Sequence, residues 1–393
     1  MRPDDLFADD HRRRLAAGVQ RALRPIDGPQ DTHVCIEGRV ALCLCSNNYL
    51  GLANHPAVIE AACAAARDYG VGAGASRLIS GSMRAHHQLE ERLAAFKGAE
   101  ACLLFTSGYH ANLGVISSLV GPGDAVFSDA LNHASLIDGC RLSRAAVCVY
   151  PHGDAEALAA RLRTVPARRR LIVTDSVFSM DGDVAPLQAI CDLAQQYEAM
   201  VMVDEAHATG VLGPHGAGLV EALGVGPRVT VQMSTLGKAL GGFGAFVAGS
   251  RALIDFLVNR ARTFIFTTAL PPSVVAAAAA ALTIVEREPE RRVRLRRNAA
   301  HLRHGLAALG YDVAGADDAH IVPIVIGDAP TTMALSGALL EQGVFAQGIR
   351  PPTVPEGTAR IRATVMATHR DVDIDAAVAA FAALRPAAVR AAR

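Results

Sequence analysis

The chain contains two lysines, Lys97 and Lys238, and its other basic residues are all arginine. Lys238 lies in a glycine-rich stretch, Ser234–Gly244, that follows an apolar run. Arginine keeps its proton near neutral pH and forms no imine, whereas a lysine amine can attack a carbonyl once its pKa is lowered. Most lysines are surface residues, but this context is not a solvated helix face. We therefore predict amine chemistry at Lys238.

A carboxylate and an imidazole follow another apolar run. Asp204 ends that run, and His207 comes three residues later. A buried carboxylate is costly unless it meets a cation, and a protonated pyridine nitrogen would be such a cation. His207 could then form a hydrogen bond with a hydroxyl or phenolate oxygen of the same ring. The alternative is a helix cap beside a structural histidine.

Three further polar groups follow apolar runs. Backbone N–H groups of Gly108 and Tyr109 would open a helix and could bind a phosphate, although an ordinary Ser-capped helix start fits equally well. His133 could stack on a flat ring, and Ser179 follows another run. Together with Lys238, these groups are what pyridoxal 5'-phosphate requires: an amine, a phosphate site, a carboxylate for the ring nitrogen and a stacking imidazole.

Other functional classes have less support. Phosphate-binding and dinucleotide-binding glycine patterns are absent from a strand-to-helix context, and no Gly-x-Ser-x-Gly motif suggests a serine hydrolase. The formal net charge is zero, so nothing favours a nucleic-acid partner. The apolar run Val274–Val285 is too short to span a membrane. The acidic N-terminus does not resemble a secretory signal, and eight cysteines without zinc spacing predict reduced thiols in the cytoplasm and no metal site.

Short apolar runs alternate with helical stretches from Ala101 onward. This pattern predicts an α/β fold with a mainly parallel, seven-stranded sheet covered on both faces. The predicted strands are residues 101–105, 125–127, 145–150, 171–174, 200–203, 229–232 and 245–248. Because ligands of such sheets bind where strands end and helices begin, the polar groups above are expected to meet at one edge.

The remainder of the chain divides into smaller units. We predict an N-terminal helix and hairpin segment at residues 1–50, a large cofactor-binding domain at 51–285 and a C-terminal α+β domain at 286–393. The N-terminal helix is expected to end near Arg24, before Pro25. The other predicted elements are a hairpin at 33–46, helices at 56–68 and 86–96, a glycine-rich loop at 70–82, two long helices after 272, and strands at 320–326, 343–349 and 359–364.

Taken together, the motifs resemble a known family. The Ser234–Gly244 stretch is similar to the lysine motif of class II pyridoxal-phosphate enzymes of fold type I, and almost the whole chain resembles the α-oxoamine synthases within that group. Further similar stretches are Ser46–Leu52, Asn132–Ser135, Phe178–Asp183, Asp204–His207 and Leu270–Pro272. The stretch Gly348–Arg362 resembles the branch of the family that acts in biotin biosynthesis.

The resemblance implies roles around the cofactor ring. Lys238 would hold the cofactor covalently, be displaced by the amino-acid substrate and then act as the base at Cα. Asp204 would keep the pyridine nitrogen protonated, and His133 would stack on the ring. His207 and Ser179 would contact the side of the ring that carries its oxygen.

The resemblance also implies a phosphate site that two subunits share. Gly108 and Tyr109 would lie at the phosphate and the ring edge, joined by Ser234 or Thr235. Thr268 would reach the phosphate from the partner subunit, so a complete site would require a homodimer.

For the substrate carboxylate, the best candidate is Arg362. On a strand, Arg360 and Arg362 share one face, and a guanidinium can bind a carboxylate through two parallel hydrogen bonds; a structural salt bridge is the alternative, above all for Arg360. Asn47 would assist. Two further arginines, Arg21 and Arg350, are candidates for the far carboxylate of the acyl substrate or for its thioester carrier.

The implied reaction is a decarboxylative condensation of L-alanine with a pimeloyl thioester, which gives 8-amino-7-oxononanoate. Ser76 occupies a position where glycine-using relatives carry threonine, and the smaller residue leaves room for the methyl group of alanine. Glycine with acetyl-CoA, serine with a long acyl chain, and cofactor binding without turnover stay open. The sequence also leaves open whether the acyl group arrives on CoA or on a carrier protein.

Overall fold

The computed structural model describes residues 3–16 and 20–385. The strands are β1 Ile26–Asp27, β2 His33–Ile36, β3 Arg39–Cys43, β4 Ala101–Phe105, β5 Ala125–Asp129, β6 Ala146–Tyr150, β7 Arg170–Asp175, β8 Ala199–Asp204, β9 Val231–Thr235, β10 Ala245–Gly249, β11 Asp312–Val313, β12 Ile321–Gly327, β13 Val344–Phe345, β14 Gln347–Ile349 and β15 Ala359–Thr364.

Helices separate most of these strands. They are α1 Pro3–Ala16, α2 Pro56–Tyr69, α3 Arg84–Lys97, α4 Gly108–Leu119, α5 Ala134–Ser143, α6 Ala155–Thr164, α7 Leu187–Gln196, α8 Leu219–Ala222, α9 Arg251–Arg260, α10 Arg262–Ile265, α11 Pro272–Arg287, α12 Glu290–Ala308, α13 Ala329–Glu341 and α14 Asp371–Ala383, with a 3₁₀ turn at Gly226–Arg228.

The central sheet contains seven strands in the order β4-β10-β9-β8-β7-β5-β6. Pairing is parallel from β9 through β8, β7 and β5 to β6, while β10 runs antiparallel to both β9 and β4. The predicted α/β class and the mainly parallel seven-stranded sheet are therefore confirmed. Strand β9 differs most in extent: it begins at Val231 and not at the predicted 229, and Ser234 and Thr235 continue the ladder with β10 beyond the predicted end at 232.

Apolar cores cover both faces of this sheet. One contains Val115, Leu136 and Leu257 from the helices α4, α5 and α9. The opposite core contains Leu158 and Ile190 from α6 and α7. Burial on both faces explains why the strands are almost uniformly apolar until they reach the edge that carries the site.

Two smaller sheets complete the described structure, with strand orders β1-β2-β3-β13 and β11-β12-β15-β14. The run predicted as one strand at 343–349 is in fact two strands. Val344–Phe345 pairs in parallel with β3, and Gln347–Ile349 pairs with β15. One apolar run therefore supplies strands to two sheets, and the N-terminal hairpin shares a sheet with Val344–Phe345 of the C-terminal unit. The domain limits at 50 and 285 stay predictions.

The N-terminal helix ends at Ala16, before three residues that lie outside the described residues. The prediction that it extends to about Arg24 is wrong for residues 20–24, which form no regular element. The residue before a proline is disfavoured in helical conformation, and Pro25 therefore acts against helix at Arg24. No helix in the described part of the chain is long and apolar enough to cross a membrane.

Candidate active site

Two carboxylates lie at the carboxyl edge of the central sheet. Asp175 ends β7 and Asp204 ends β8, and the two residues are paired in register. Asp204 is 4% exposed and accepts hydrogen bonds from Asn112 Nδ2 over 2.8 Å and from the Ala206 N–H over 2.9 Å. Asp175 accepts the backbone N–H of His133 over 2.7 Å. The edge is therefore rich in buried negative charge.

This proximity perturbs one of the two carboxyls. Burial, followed by repulsion from Asp204, raises the pKa of Asp175 well above its ordinary value. Within the described residues, neither carboxylate forms a salt bridge. A cation placed beside Asp204 would relieve the repulsion.

Lys238 lies in the turn that follows β9, and its side chain is half-buried. Thr235 shapes this turn, because its hydroxyl donates to Gly244 O over 2.9 Å and accepts the Gly237 N–H over 3.1 Å. Gly241 has a φ of 63°, and a Cβ there would overlap the backbone nitrogen of Ala53. The glycines therefore allow the lysine loop to pack closely against the loop that follows Leu52.

The amine of Lys238 has no hydrogen-bond or salt-bridge partner in the part of the chain that the structure describes. Burial lowers the pKa of Lys238, and the charge of Arg362 lowers it further, while Asp204 and Asp175 act in the opposite direction. The other lysine is different: Lys97 is buried in an ion pair with Glu205. One lysine is thus neutralised by a partner, and the other is available.

His207 lies in the turn after β8 and is 5% exposed. Its Nδ1 is 2.6 Å from the hydroxyl of Tyr49, which is fully buried. Burial, followed by the charges of Lys238 and Arg362, lowers the pKa of His207 well below its ordinary value. A neutral imidazole therefore lies near enough to Lys238 and Arg362 to be affected by both charges.

His133 caps the N-terminus of α5 and is exposed. Its Nδ1 lies 2.7 Å from Ser135 Oγ and accepts the Ser135 N–H over 3.2 Å, which fixes the ring. Its main chain is held by Asp175, as described above. An imidazole fixed at its Nδ1 side with an exposed ring is suited to stacking.

Arg362 is a buried guanidinium on β15, only 7% exposed. Its Nε donates to Ser179 O, and its terminal nitrogens donate to Asn47 Oδ1 over 3.3 Å and to Tyr49 Oη over 3.5 Å. Within the described residues no carboxylate pairs with it. A buried charge without a counter-ion is costly, so this arrangement favours binding of an external anion.

The neighbouring Arg360 has such a counter-ion. Its Nη1 lies 2.5 Å from Asp181 Oδ1 and donates to Met180 O over 3.1 Å. Of the two arginines on this face of β15, Arg360 therefore forms a salt bridge, and Arg362 is free to bind substrate.

The start of α4 provides the helix N-terminus that the sequence predicted. Ser107 caps the helix by accepting the His110 N–H over 3.2 Å, and Gly108 is the first helical residue. Tyr109 is 44% exposed, and its hydroxyl donates to Asp138. Ser234 is buried and donates to Glu205 O over 3.2 Å, so its hydroxyl already has a protein partner.

The family is decided by comparison of the whole chain. Residues 40–381 match the family Aminotransferase class I and II. The chain belongs to this family. It is 53% identical over 382 residues to 8-amino-7-oxononanoate synthase of Geobacter metallireducens, covering 96% of this chain and 97% of that one. It is 55% identical to the protein of the same name from Geobacter sulfurreducens, covering 93% and 94%.

Solved structures agree with this family. Serine palmitoyltransferase of Sphingomonas wittichii is 35% identical, with a TM-score of 0.92 over 97% of this chain and 96% of that one. A serine palmitoyltransferase with a PLP internal aldimine has the same TM-score at 34% identity over 96% of each chain. An 8-amino-7-oxononanoate synthase of Francisella tularensis has a TM-score of 0.74 and 28% identity, covering 88% and 97%. The predicted fold type and family of this aminotransferase-family chain are confirmed.

Three predicted site residues do not join the cluster within one chain. Thr268 is exposed and forms an isolated antiparallel β-bridge, through the main chain, with Ser76 on the glycine-rich loop. Arg21 is exposed, and Arg350 is half-buried with a hydrogen bond to Gln20 O over 2.7 Å. Because one chain alone does not bring these three residues to the cluster, their roles stay predictions.

Sequence reasoning missed four residues that the structure places here: Tyr49, Asn112, Asp175 and His320. The first three lie within or beside stretches that drew attention for other residues, so proximity to a motif was the available signal. His320 had no local signal. It is 1% exposed, and its ring packs edge-on against Tyr49 with a centroid distance of 4.3 Å.

Proposed function

We propose that the chain condenses L-alanine with a pimeloyl thioester, releasing carbon dioxide and the free thiol carrier and giving 8-amino-7-oxononanoate for biotin biosynthesis. The observation that carries this proposal is identity of 53–55% over nearly the whole chain to relatives named 8-amino-7-oxononanoate synthase. The enzyme is a pyridoxal-phosphate-dependent acyltransferase.

The site residues fit pyridoxal 5'-phosphate. Among the described residues, Lys238 provides an amine without a partner and Asp204 a buried carboxylate without a cation, and the N-terminus of α4 provides backbone N–H groups for a phosphate. When bound, the cofactor supplies an aldehyde that takes up amino groups and a ring that delocalises the electron pair left at the substrate Cα. Gly108, Tyr109, Ser234 and Thr235 are proposed to surround its phosphate.

Each side chain then has a defined task. Lys238 would hold the cofactor and would serve as the base for the Cα proton of the substrate, because its lowered pKa increases the fraction of free base near neutral pH. Arg362 and Asn47 hold the carboxylate of alanine. Asp204 keeps a proton on the ring nitrogen by charge-assisted hydrogen bonding. His133 covers one ring face.

The oxygen side of the ring has its own group of contacts. His207, neutral and buried, can form a hydrogen bond with a ring oxygen without adding charge. Ser179 contacts Arg362 through its main chain, because its carbonyl accepts a hydrogen bond from Arg362 Nε. We propose that the Ser179 hydroxyl completes this side.

Space for the acyl substrate lies beside the site. A cavity of about 480 Å³ is lined by residues 130–132, 180–181 and 351–356 together with Ile137. It adjoins His133 and Ser179 in sequence, and its walls combine apolar side chains with the polar Asn132, Asp181, Thr353 and Glu356. We propose that the acyl thioester enters here, with Arg21 or Arg350 binding its far carboxylate or its carrier. Another cavity, of about 830 Å³ along α12, contains none of the proposed site residues.

A homodimer is part of the proposal. Thr268 would contribute to the partner's phosphate site, and exposed apolar side chains, which are expected at a subunit interface, occur near it in the sequence, in the glycine-rich loop that it meets through Ser76, and in the lysine loop. These are Val71 (85% exposed), Ile79 (80%), Phe266 (69%) and Phe243 (57%). A cytoplasmic location is also proposed, supported by eight cysteines that are all free.

One observation favours a second candidate, condensation of serine with a long acyl thioester. The TM-score to serine palmitoyltransferase is 0.92, against 0.74 for the Francisella 8-amino-7-oxononanoate synthase. Identity outweighs this likeness, because the serine palmitoyltransferases are 34–35% identical and the Geobacter relatives 53–55%.

A direct assay separates these candidates. The protein with pyridoxal phosphate is incubated with alanine, glycine or serine and with pimeloyl-CoA, pimeloyl carrier protein, acetyl-CoA or palmitoyl-CoA, and carbon dioxide release is measured. Alanine with a pimeloyl donor is expected to be the best pair. Preference for serine with palmitoyl-CoA would overturn the choice of reaction, and cofactor binding without any turnover would support a non-catalytic protein.

A covalent assay tests the amine. Borohydride reduction followed by peptide mass spectrometry is expected to place the cofactor on Lys238. The Lys238→Ala variant should bind cofactor only reversibly, whereas Lys97→Arg should keep the covalent adduct. An adduct on Lys97, or one that survives in Lys238→Ala, would refute the assignment.

A further inference from the structure

Tyr49 lies at the centre of a buried polar group that joins Arg362 to His207. Its hydroxyl oxygen is 2.6 Å from His207 Nδ1 and 3.0 Å from Asn47 Oδ1. Arg362 Nη2 donates to the same oxygen over 3.5 Å. The proposed function assigns a role to each of Arg362, Asn47 and His207, but none to the tyrosine that joins them.

Two arrangements of the protons are possible, and they differ in whether the single phenol proton goes to His207 Nδ1 or to Asn47 Oδ1; when it goes to His207, Asn47 Oδ1 accepts from Arg362 instead. A guanidinium only donates, so the Tyr49 oxygen accepts from Arg362 in both. In the first arrangement, the phenol donates to His207 Nδ1, and the imidazole carries its own proton on Nε2. In the second, His207 Nδ1 carries the proton and donates to Tyr49, whose proton then goes to Asn47 Oδ1.

We infer that Tyr49 is a positioning residue that holds His207 in the first arrangement, with the imidazole proton on Nε2. The shorter of the two phenol contacts is the one to His207, and 2.6 Å lies in the range of well-formed O–H hydrogen bonds. The Arg362 charge beside the phenol oxygen makes the phenol a better donor, which also favours this arrangement.

Two further observations agree. His207 is neutral because burial and the nearby charges of Lys238 and Arg362 lower its pKa, so one ring nitrogen must accept. His320 packs edge-on against Tyr49, and its buried Nε2 has no hydrogen-bond partner among the described residues. The imidazole of His320 therefore fixes the tyrosine ring, and its Nε2 does not take the phenol proton.

The inference rests on the proposed function in one respect. With the proton on Nε2, His207 can donate to the cofactor's ring oxygen; in the other tautomer, Nε2 would present a lone pair to that oxygen and repel it. Tyr49 would therefore connect carboxylate binding at Arg362 with the electronic state of the ring. The tautomer itself is measurable without cofactor or turnover.

The first experiment uses cofactor-free protein with ¹⁵N-labelled histidine. Long-range proton–nitrogen correlation spectra distinguish the two neutral tautomers, and the signals of His207 are assigned by their loss in His207→Gln. We expect Nδ1 without a proton in the wild type and a mixed or reversed tautomer in Tyr49→Phe. A matched control is Tyr311→Phe, which removes a buried hydroxyl that donates to Phe381 O over 2.9 Å; it should leave His207 unchanged.

The wild-type spectrum alone can overturn the inference, even if Tyr49→Phe does not fold. A proton on Nδ1 of His207 would refute it. An unchanged tautomer in a folded Tyr49→Phe protein would do the same, because the phenol would then not be what selects it.

The second experiment uses the holoenzyme. The visible absorbance of the bound cofactor is titrated with pH, and we expect Tyr49→Phe to shift the midpoint by at least about half a pH unit, the scale of one altered hydrogen bond. Turnover should fall while KM for the acyl thioester is kept. An unshifted midpoint would contradict the role of Tyr49. If the wild-type enzyme did not turn over alanine, but the His207 tautomer was as expected in the wild type and changed in Tyr49→Phe, only the proposed function would be contradicted.

Discussion

Asp175 and Asp204 lie side by side at the ends of adjacent parallel strands, paired in register and both buried. Two carboxylates this close repel each other, and the raised pKa of Asp175 reports burial and that repulsion. Without a cation beside them, keeping both groups charged is therefore unfavourable. A cation delivered by the cofactor ring would reduce this repulsion as it binds.

We predict that Asp204→Asn separates function from stability. The amide keeps the shape of the side chain but removes one of two adjacent charges, so cofactor-free protein should be as stable as wild type or more stable in urea. Activity should fall by about 10²–10³-fold, the scale of losing one electrostatic contact in a catalytic site. Steady-state kinetics at saturating cofactor and urea unfolding provide the two readouts.

The opposite pattern would contradict this account. If Asp204→Asn destabilised the cofactor-free fold by more than about 1 kcal/mol, a typical hydrogen-bond contribution, Asp204 would be mainly a structural residue that holds Asn112.

Arg362→Gln should weaken binding of the amino acid. Arg362 has no counter-ion within the described residues, so it is free to bind the substrate carboxylate, and its loss is expected to lower kcat/KM for alanine by about 10²-fold or more, equivalent to roughly 3 kcal/mol. The effect should fall mainly on KM for alanine, with KM for the acyl thioester changed little.

The matched control is Arg360→Gln on the same face of β15. This change breaks the salt bridge with Asp181 and should lower stability while leaving KM for alanine within about threefold, less than the tenfold step of 1.4 kcal/mol. Equal effects of the two substitutions on KM would show that Arg362 is not the specific carboxylate site.

The sheet could be predicted because burial on both faces leaves a direct trace in sequence. Strand β8 is apolar until the residue that reaches the edge, so Asp204 was visible as an exception. The end of β9 could not be seen in the sequence, because its last residues are polar and are held by backbone pairing with β10. Pairing between main chains leaves no side-chain pattern.

The site was predictable one residue at a time, but its connections were not. Lys238, Asp204 and His207 each follow an apolar run, whereas Tyr49 and His207 are 158 positions apart and meet only in the fold. The distinction between Arg360 and Arg362 was open for the same reason, since the counter-ion Asp181 comes from a distant loop. Contacts between loops decide which polar residues are free, and sequence spacing does not encode them.

Lys97 is predicted to act in stability alone. It is fully buried against Glu205, and its amine also donates to Thr209 Oγ1 over 3.1 Å and to the Ala217 carbonyl. Lys97→Met would leave Glu205 buried without a cation, which typically costs about 3–5 kcal/mol. Urea unfolding should show this loss, while borohydride labelling of Lys238 persists under conditions where the variant is folded. A variant as stable as wild type would refute the structural role.

His152 connects two loops beside the site. Its Nε2 lies 2.7 Å from Asp183 Oδ2 and its Nδ1 lies 3.0 Å from Asp129 Oδ1. Burial lowers the pKa of His152, but the hydrogen bonds with Asp183 and Asp129 outweigh it, and the net pKa is raised. Because the folded pKa exceeds the ordinary 6.5, the stabilisation is fully present below 6.5 and is lost as pH rises through the folded value.

Unfolding in urea should therefore show wild-type stability falling as pH rises above about 6.5, by on the order of 1 kcal/mol from this group, since a single partly exposed ion pair contributes no more. His152→Gln should remove that part of the slope. His301→Gln, which removes an exposed contact with Asp375 at 2.9 Å, serves as the control and should leave the slope almost unchanged. Equal slopes in wild type and His152→Gln would mean that the histidine is neutral between its two carboxylates, and that the loop carrying Ser179 is held without its charge.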